Sequence, residues 1–163
     1  WVNKDQIFAS GRSAGGTIMT VVANEAPELY RGIIAHVPFV DLITTLGDGN
    51  NPLTIGDRLE WGDPAEKVAY DYLLSYSPYD QIKQQRYPPM LITTAINDSR
   101  VHYSEALKWI AKLRRDSLNP ERHLIDILEN TGHLGPSDQY ERRQGDALEF
   151  AFILDELDRT PAR

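Results

Sequence analysis

Hydrophobic and polar positions along the chain fall into brief β-branched runs separated by longer stretches with helical spacing. Gln6-Ile7-Phe8-Ala9-Ser10 reads as a short strand that runs directly into Gly11. From Ala14 to Glu25, small and apolar residues predict a buried helix, closed by Pro27, whose ring cannot continue one. Gly32-Ile33-Ile34-Ala35-His36-Val37 is a second strand. The stretch from Pro38 to Asp63 carries no clear period and reads as irregular, with a turn at Gly47-Asp48-Gly49-Asn50-Asn51-Pro52. Asp63 is the natural cap of a helix with Pro64 at its first position, continuing through Ala69-Tyr70-Asp71-Tyr72-Leu73-Leu74. Ser77-Pro78-Tyr79-Asp80 is a turn.

Met90-Leu91-Ile92-Thr93-Thr94-Ala95 is a third strand, and Leu124-Ile125-Asp126-Ile127-Leu128 a fourth. Between them, Tyr103 to Arg115 is an amphipathic helix with Ala106, Leu107, Ile110 and Leu113 near helical spacing. Ala147 to Leu157 belongs to a final helix. Strands alternating with helices predict an α/β fold, a parallel sheet of about four strands with helices on both faces.

Bulk properties narrow the picture. The 163 residues fit one domain, and 41% hydrophobic with 25% charged residues is ordinary for a globular chain. No apolar run approaches the ~20 residues of a membrane helix, so no membrane partner is expected. A formal charge of -7 repels phosphates on average, which argues against nucleic acid and suits a cationic substrate. Cysteine is absent, which excludes disulfides and thiolate metal sites and leaves the compartment open, with the cytoplasm favoured. There is no H-E-x-x-H, and Asp48-Gly49-Asn50-Asn51 lacks the alternation and closing Glu of a calcium loop. Neither a metal nor a cofactor is expected.

Gly11-Arg12-Ser13-Ala14-Gly15-Gly16 contains G-x-S-x-G between a predicted strand and a predicted helix, the context a nucleophile elbow requires. The turn is tight, so Gly11 and Gly15 are expected to relieve clashes. A helix beginning at the serine aims its first N–H groups at developing negative charge, which makes the Ala14 N–H the natural oxyanion donor. The competing reading is a glycine-rich turn with an incidental serine. A phosphate loop fits worse, because neither G-x-G-x-x-G nor G-x-x-x-x-G-K-[ST] is present.

A serine nucleophile needs a base, and in this fold the acid and histidine follow it in that order. Asp98 lies just past the third strand and His133 just past the fourth, on the sheet edge where Ser13 also sits. His36 lies too early for that order, His102 follows Asp98 closely, and His123 precedes its strand at the wrong edge. Asp41, Asp48 and Asp80 read more simply as turn or cap residues.

Five ordered blocks carry a family resemblance: Gly11-Arg12-Ser13-Ala14-Gly15-Gly16, Val37-Pro38-Phe39-Val40-Asp41, Glu60-Trp61-Gly62, Ser75-Tyr76-Ser77-Pro78-Tyr79-Asp80 and Asn97-Asp98-Ser99-Arg100-Val101. Together they resemble the catalytic domain of oligopeptidase B-type serine peptidases, in the prolyl oligopeptidase family of α/β-hydrolases. The resemblance implies Ser13 as nucleophile, Asp98 as triad acid, His133 as base, and Arg100 as the residue that holds a substrate carbonyl. Relatives that cleave after Arg or Lys carry two glutamates shortly before Glu-Trp-Gly; the matching positions here are Asp57 and Leu59. One carboxylate is shortened and one lost, so any basic specificity would rest on Asp57 or Glu60. His133-Leu134-Gly135 departs from the glycine that usually follows the histidine.

The resemblance also implies a β-propeller and the first hydrolase strands upstream, so that residues 1–163 correspond to the C-terminal half of the catalytic domain. A second oxyanion donor, an upstream tyrosine, would lie in that portion. The edge of the strand at 7–10 would then lack its usual partner, which predicts a homodimer through that edge or by exchange of elements. The expected function is serine-type hydrolysis of short peptides by acyl transfer. An esterase with the same triad, or a folded, self-associating remnant with little turnover, are the alternatives.

Overall fold

The computed structural model describes residues 3–51 and 53–159. Trp1-Val2 at the entry to the first strand and Pro52 in the glycine-rich turn lie outside the described residues. The elements follow as β1 (Phe8–Arg12), α1 (Ala14–Glu25), β2 (Gly32–His36), α2 (Leu42–Gly47), α3 (Thr54–Trp61), α4 (Lys67–Tyr76), β3 (Met90–Ala95), α5 (Ser104–Asp116), β4 (His123–Leu128) and α6 (Gln139–Asp158).

The four strands form one parallel sheet in the order β1-β2-β3-β4. Strand alternation sorts the core onto two faces. Ile33, Ala35, Met90 and Ile92 point to one side, where Ala23 of α1 and Ala106, Trp109, Ile110 and Leu113 of α5 bury against them. Ile34 and Leu91 point to the other, where Phe152 of α6 covers them with Phe8 and Ile153 alongside. Fully burying such a side chain is worth about 1.5–3 kcal/mol, so the period-2 pattern itself holds the helices to both faces. A third cluster of Phe39, Leu42, Leu46, Leu73 and Val101 sits over the C-terminal ends of the strands. The registers Arg12↔His36, His36↔Thr93 and Ala95↔Leu128 bring those ends to a common rim.

Several elements differ from the sequence expectation. The stretch 38–63 is not irregular but holds α2 and α3. Asp41 caps α2 by accepting the Thr44 N–H at 3.3 Å, and Leu42 and Leu46, one helical turn apart, both bury fully. Asp63 does not cap α4. Its carboxylate closes a turn by accepting the Ala65 N–H at 2.9 Å, and the helix begins at Lys67 with Glu66 as its cap residue. His123 does not precede β4 but opens it. The last helix starts at Gln139, well before Ala147, because Asp138 accepts the N–H groups of both Tyr140 and Glu141.

Candidate active site

The turn from β1 into α1 forces Ser13 to φ 54 and ψ -123, a backbone conformation that costs a non-glycine residue about 1–3 kcal/mol. Gly11 makes the turn possible, since a Cβ there would lie 2.3 Å from the Gly15 carbonyl oxygen. The second crowded position is Gly16 rather than Gly15: a Cβ on Gly16 would sit 2.9 Å from Pro38 Cβ, whereas one on Gly15 would meet open space. Close packing thus occurs within the turn at Gly11 and again between the start of α1 and the segment after β2.

Ser13 Oγ lies 3.0 Å from His133 Nε2, and His133 Nδ1 lies 2.8 Å from Asp98 Oδ2. The Asp98 side chain is fully enclosed, and its other oxygen accepts the N–H groups of Arg100 at 2.8 Å and Val101 at 2.9 Å. A carboxylate held this way fixes both its own rotamer and the imidazole's. It places the proton on Nδ1 and leaves the Nε2 lone pair facing the serine hydroxyl. Such a relay can take a proton from a hydroxyl as the oxygen attacks a carbonyl. Ala14 opens α1, so its N–H has no carbonyl one helical turn back to bind, and the residue is exposed beside Ser13.

His133 is carried on a loop closed by the bridge between Gly132 and Gly135, the latter at φ 82. Arg12 reaches across and donates from Nη1 to the His133 carbonyl oxygen at 2.8 Å. That tie joins residues far apart in the chain, and nothing in the motif announces it. His36 stands outside the relay. Its ring contacts Thr93 Oγ1 at 3.0 Å and Glu149 Oε1 at 3.3 Å, on the α6 side of the sheet. Burial, with Arg12 adding to it, lowers the His36 pKa.

The remaining candidates do not join the relay. Arg100 is exposed, and its backbone rather than its guanidinium supports Asp98. Asp57 and Glu60 sit on α3, half-buried and exposed respectively. That helix is pinned by Trp61, whose ring meets Phe39 edge-on at 5.6 Å, and Phe39 in turn packs against the nucleophile turn through Thr17, whose hydroxyl donates to its carbonyl at 2.6 Å. Among the described residues no group of three or more His, Asp or Glu side chains could hold a metal ion, and no helix is long and apolar enough to cross a membrane.

The profile of the prolyl oligopeptidase family matches residues 1–160. The chain belongs to that family. It is 44% identical over 156 residues to the dipeptidyl aminopeptidase BI of Pseudoxanthomonas mexicana, covering 94% of this chain and 21% of that protein. It is 42% identical to protease 2 of Moraxella lacunata, covering 96% of this chain and 23% of that one. The oligopeptidase B of Leishmania major superposes with a TM-score of 0.92 at 40% identity, over 96% of this chain and 22% of its own. Oligopeptidase B of Trypanosoma brucei, closed and with covalently bound antipain, gives 0.92 at 39% over 99% and 23%. The chain therefore spans between a fifth and a quarter of these relatives' length, and the four-stranded sheet with its flanking helices matches the α/β-hydrolase fold of the oligopeptidase B structures.

Proposed function

We propose that this chain carries the acyl-transfer chemistry of a serine oligopeptidase, with short peptides as substrate. The observation that supports it most directly is the hydrogen-bonded series Ser13 Oγ, His133 Nε2, His133 Nδ1, Asp98 Oδ2, at 3.0 and 2.8 Å. In this reading Ser13 Oγ attacks the scissile carbonyl while His133 Nε2 accepts its proton. The imidazolium so formed is held by the Asp98 carboxylate, and the carbonyl oxygen, now an anion, takes the Ala14 N–H. His133 then gives the proton to the departing amine. Water, deprotonated by the same nitrogen, releases the acyl group and restores Ser13.

Membership of a serine peptidase family favours peptides, and Arg100 beside Asp98 is the cation offered to a substrate carbonyl. Asp57 and Glu60 on α3 are the carboxylates available to a basic side chain. The outer edge of β1 has no strand partner among the described residues, and a homodimer through that edge is part of the proposal; sedimentation as a monomer at micromolar concentration contradicts that part alone. The reaction is tested with short peptide amides bearing Arg, Lys, Pro or Leu before the scissile bond, next to simple aryl esters, each repeated with Ser13→Ala. Turnover of amides that disappears in the variant supports the reading. Turnover of esters alone, or none by folded protein, contradicts it.

A further inference from the structure

Glu105 is buried in the first turn of α5, on the same apolar stripe as Trp109 and Leu113. Its carboxylate binds two segments that the Ser13 relay leaves separate. Oε2 accepts the N–H groups of Val40 at 2.9 Å and Asp41 at 3.1 Å, and Oε1 accepts the Thr45 hydroxyl at 2.6 Å. On one side of this junction is α5, the helix that follows the Asp98 loop. Val101, whose N–H supports Asp98 Oδ1, packs in the same cluster as Phe39 and Leu42. On the other side is the buried strap 37–41. It lies directly against the nucleophile: the Ser13 N–H donates to the His36 carbonyl at 2.9 Å, Phe39 N–H approaches the Ser13 carbonyl at 3.5 Å, and Pro38 fills the space in front of Gly16.

The strap starts from a strained residue. Val37 is β-branched yet sits at φ 40, with its N–H held by the Thr93 carbonyl at 2.7 Å. Such a conformation persists only where its surroundings fix it. The bonds to Glu105 begin at Val40, shortly downstream, and hold the strap from its other end.

We propose that Glu105 is a positioning residue for the acyl-transfer reaction: by fastening strap 37–41 and α2 to the start of α5, it sets where Ser13 stands relative to the Asp98–His133 pair. The proposal rests on Ser13 being the nucleophile. A carboxyl group is a costly choice for a buried site if only packing is at stake, because removing it from water is unfavourable unless its bonds are used. Burial does push this one up, to about 7, against the opposing pull of its three hydrogen bonds, with the neighbouring Asp41 carboxylate raising it further. Asp41 is itself paired with Lys108 of the same helix. The three bonds do not require the charge. A glutamine keeps an acceptor for both amides and can turn its NH₂ towards Thr45, whose hydroxyl oxygen then accepts.

The test is the rate at which a fluorophosphonate modifies Ser13, measured per folded molecule of the full chain and well below each variant's unfolding midpoint. Glu105→Ala should react about 10- to 100-fold more slowly, the scale of a sub-ångström to one-ångström displacement of reacting groups. Glu105→Gln should stay within about threefold of the unaltered chain, since the hydrogen bonds survive. Phe152→Ala, which loosens the opposite face of the sheet, should lose stability and keep its rate. If Glu105→Ala does not fold, Thr45→Val removes the Oε1 bond alone and should slow modification roughly threefold to tenfold. Equal rates for Glu105→Ala (or Thr45→Val) and the unaltered chain overturn the proposal, as does a Gln variant as slow as Ala or a Phe152→Ala variant slowed to the same extent. No modification of the unaltered chain removes the nucleophile reading and the proposal with it, whereas modification at a common rate removes the proposal alone.

Discussion

The two rims of the sheet are built from the same strands and use polar groups in opposite ways. At the C-terminal rim, where β1 and β2 end, lie Ser13 and Val37, the two non-glycine residues with positive φ among the described residues. Hydrogen bonds there hold the residues that face one another across the rim: two amides support the Asp98 carboxylate, Asp98 orients the His133 ring, and Arg12 ties the His133 backbone carbonyl. At the N-terminal rim the bonds only fasten segments together. Asn119 donates to the Tyr87 carbonyl at 2.8 Å and accepts the Tyr87 N–H at 3.0 Å, while His123 Nε2 meets Ser117 Oγ at 3.1 Å. Both rims are cross-linked, but the backbone strain lies at the first, which is the division expected if the first does chemistry and the second resists unfolding.

Glu105 and His123, buried at opposite rims, are shifted in opposite directions, because burial disfavours the charged form of an acid and of a base alike. Burial raises Glu105 at the C-terminal rim to about 7. Burial, aided by the nearby Arg114 guanidinium, lowers His123 at the N-terminal rim to about 4. Substitutions at the two rims should therefore separate rate from stability.

The largest effects should come from the relay itself. Ser13→Ala or His133→Ala should lower peptide turnover by about 10⁶, and Asp98→Asn by about 10⁴ through the wrong imidazole tautomer. Thermal unfolding should change little beside these losses. Unfolding midpoints and turnover measured on the same preparations check both halves of the statement.

Next in size are the two buried titrations. His123 has a folded value below its ordinary 6.5, so its contribution to stability is full above pH 6.5 and is lost as pH falls towards 4. Glu105 has a folded value above its ordinary 4.5, so its contribution is full below pH 4.5 and is lost as pH rises through 7. Each is worth about 3 kcal/mol across its window, and in the unaltered chain the two slopes oppose each other. Denaturant unfolding of Glu105→Gln should therefore show stability rising between pH 4 and 6.5, and His123→Gln should show it falling between pH 4.5 and 7. Parallel slopes in the two variants would contradict the assignment.

Smaller still, Asn119→Ala should cost about 1–3 kcal/mol by leaving the Tyr87 amide and carbonyl unpaired, with no change in rate per folded molecule. Arg12→Met should do the reverse. Losing the bond to the His133 carbonyl should slow turnover about tenfold, the effect of one hydrogen bond at the upper end of the usual range, with stability nearly unchanged.

The strands were legible because Ile33-Ile34-Ala35 and Met90-Leu91-Ile92 are short unbroken apolar runs, the local consequence of a sheet buried on both faces. The placement of Ser13, Asp98 and His133 just beyond strand ends was legible for the same reason, and the structure joins them by hydrogen bonds. What escaped depends on distant partners. The six-residue α2 has too few positions to show a period; it exists because Leu42 and Leu46 bury against Leu73 and Val101. The first half of α6 is exposed and polar, so only the Asp138 cap marked its start. Glu105 did leave a signal, a charged residue one turn before Trp109 on the apolar face of α5, but its partners Val40, Asp41 and Thr45 could not be read from spacing. Arg12 left none.

Whether Ser13 is an activated nucleophile in this chain is read from intact mass after brief exposure to a fluorophosphonate. A single adduct on Ser13 should form rapidly, be absent in Ser13→Ala and be nearly absent in His133→Ala. Folded chain that stays unmodified, or a Ser13→Ala variant that takes up the label just as fast, would contradict it.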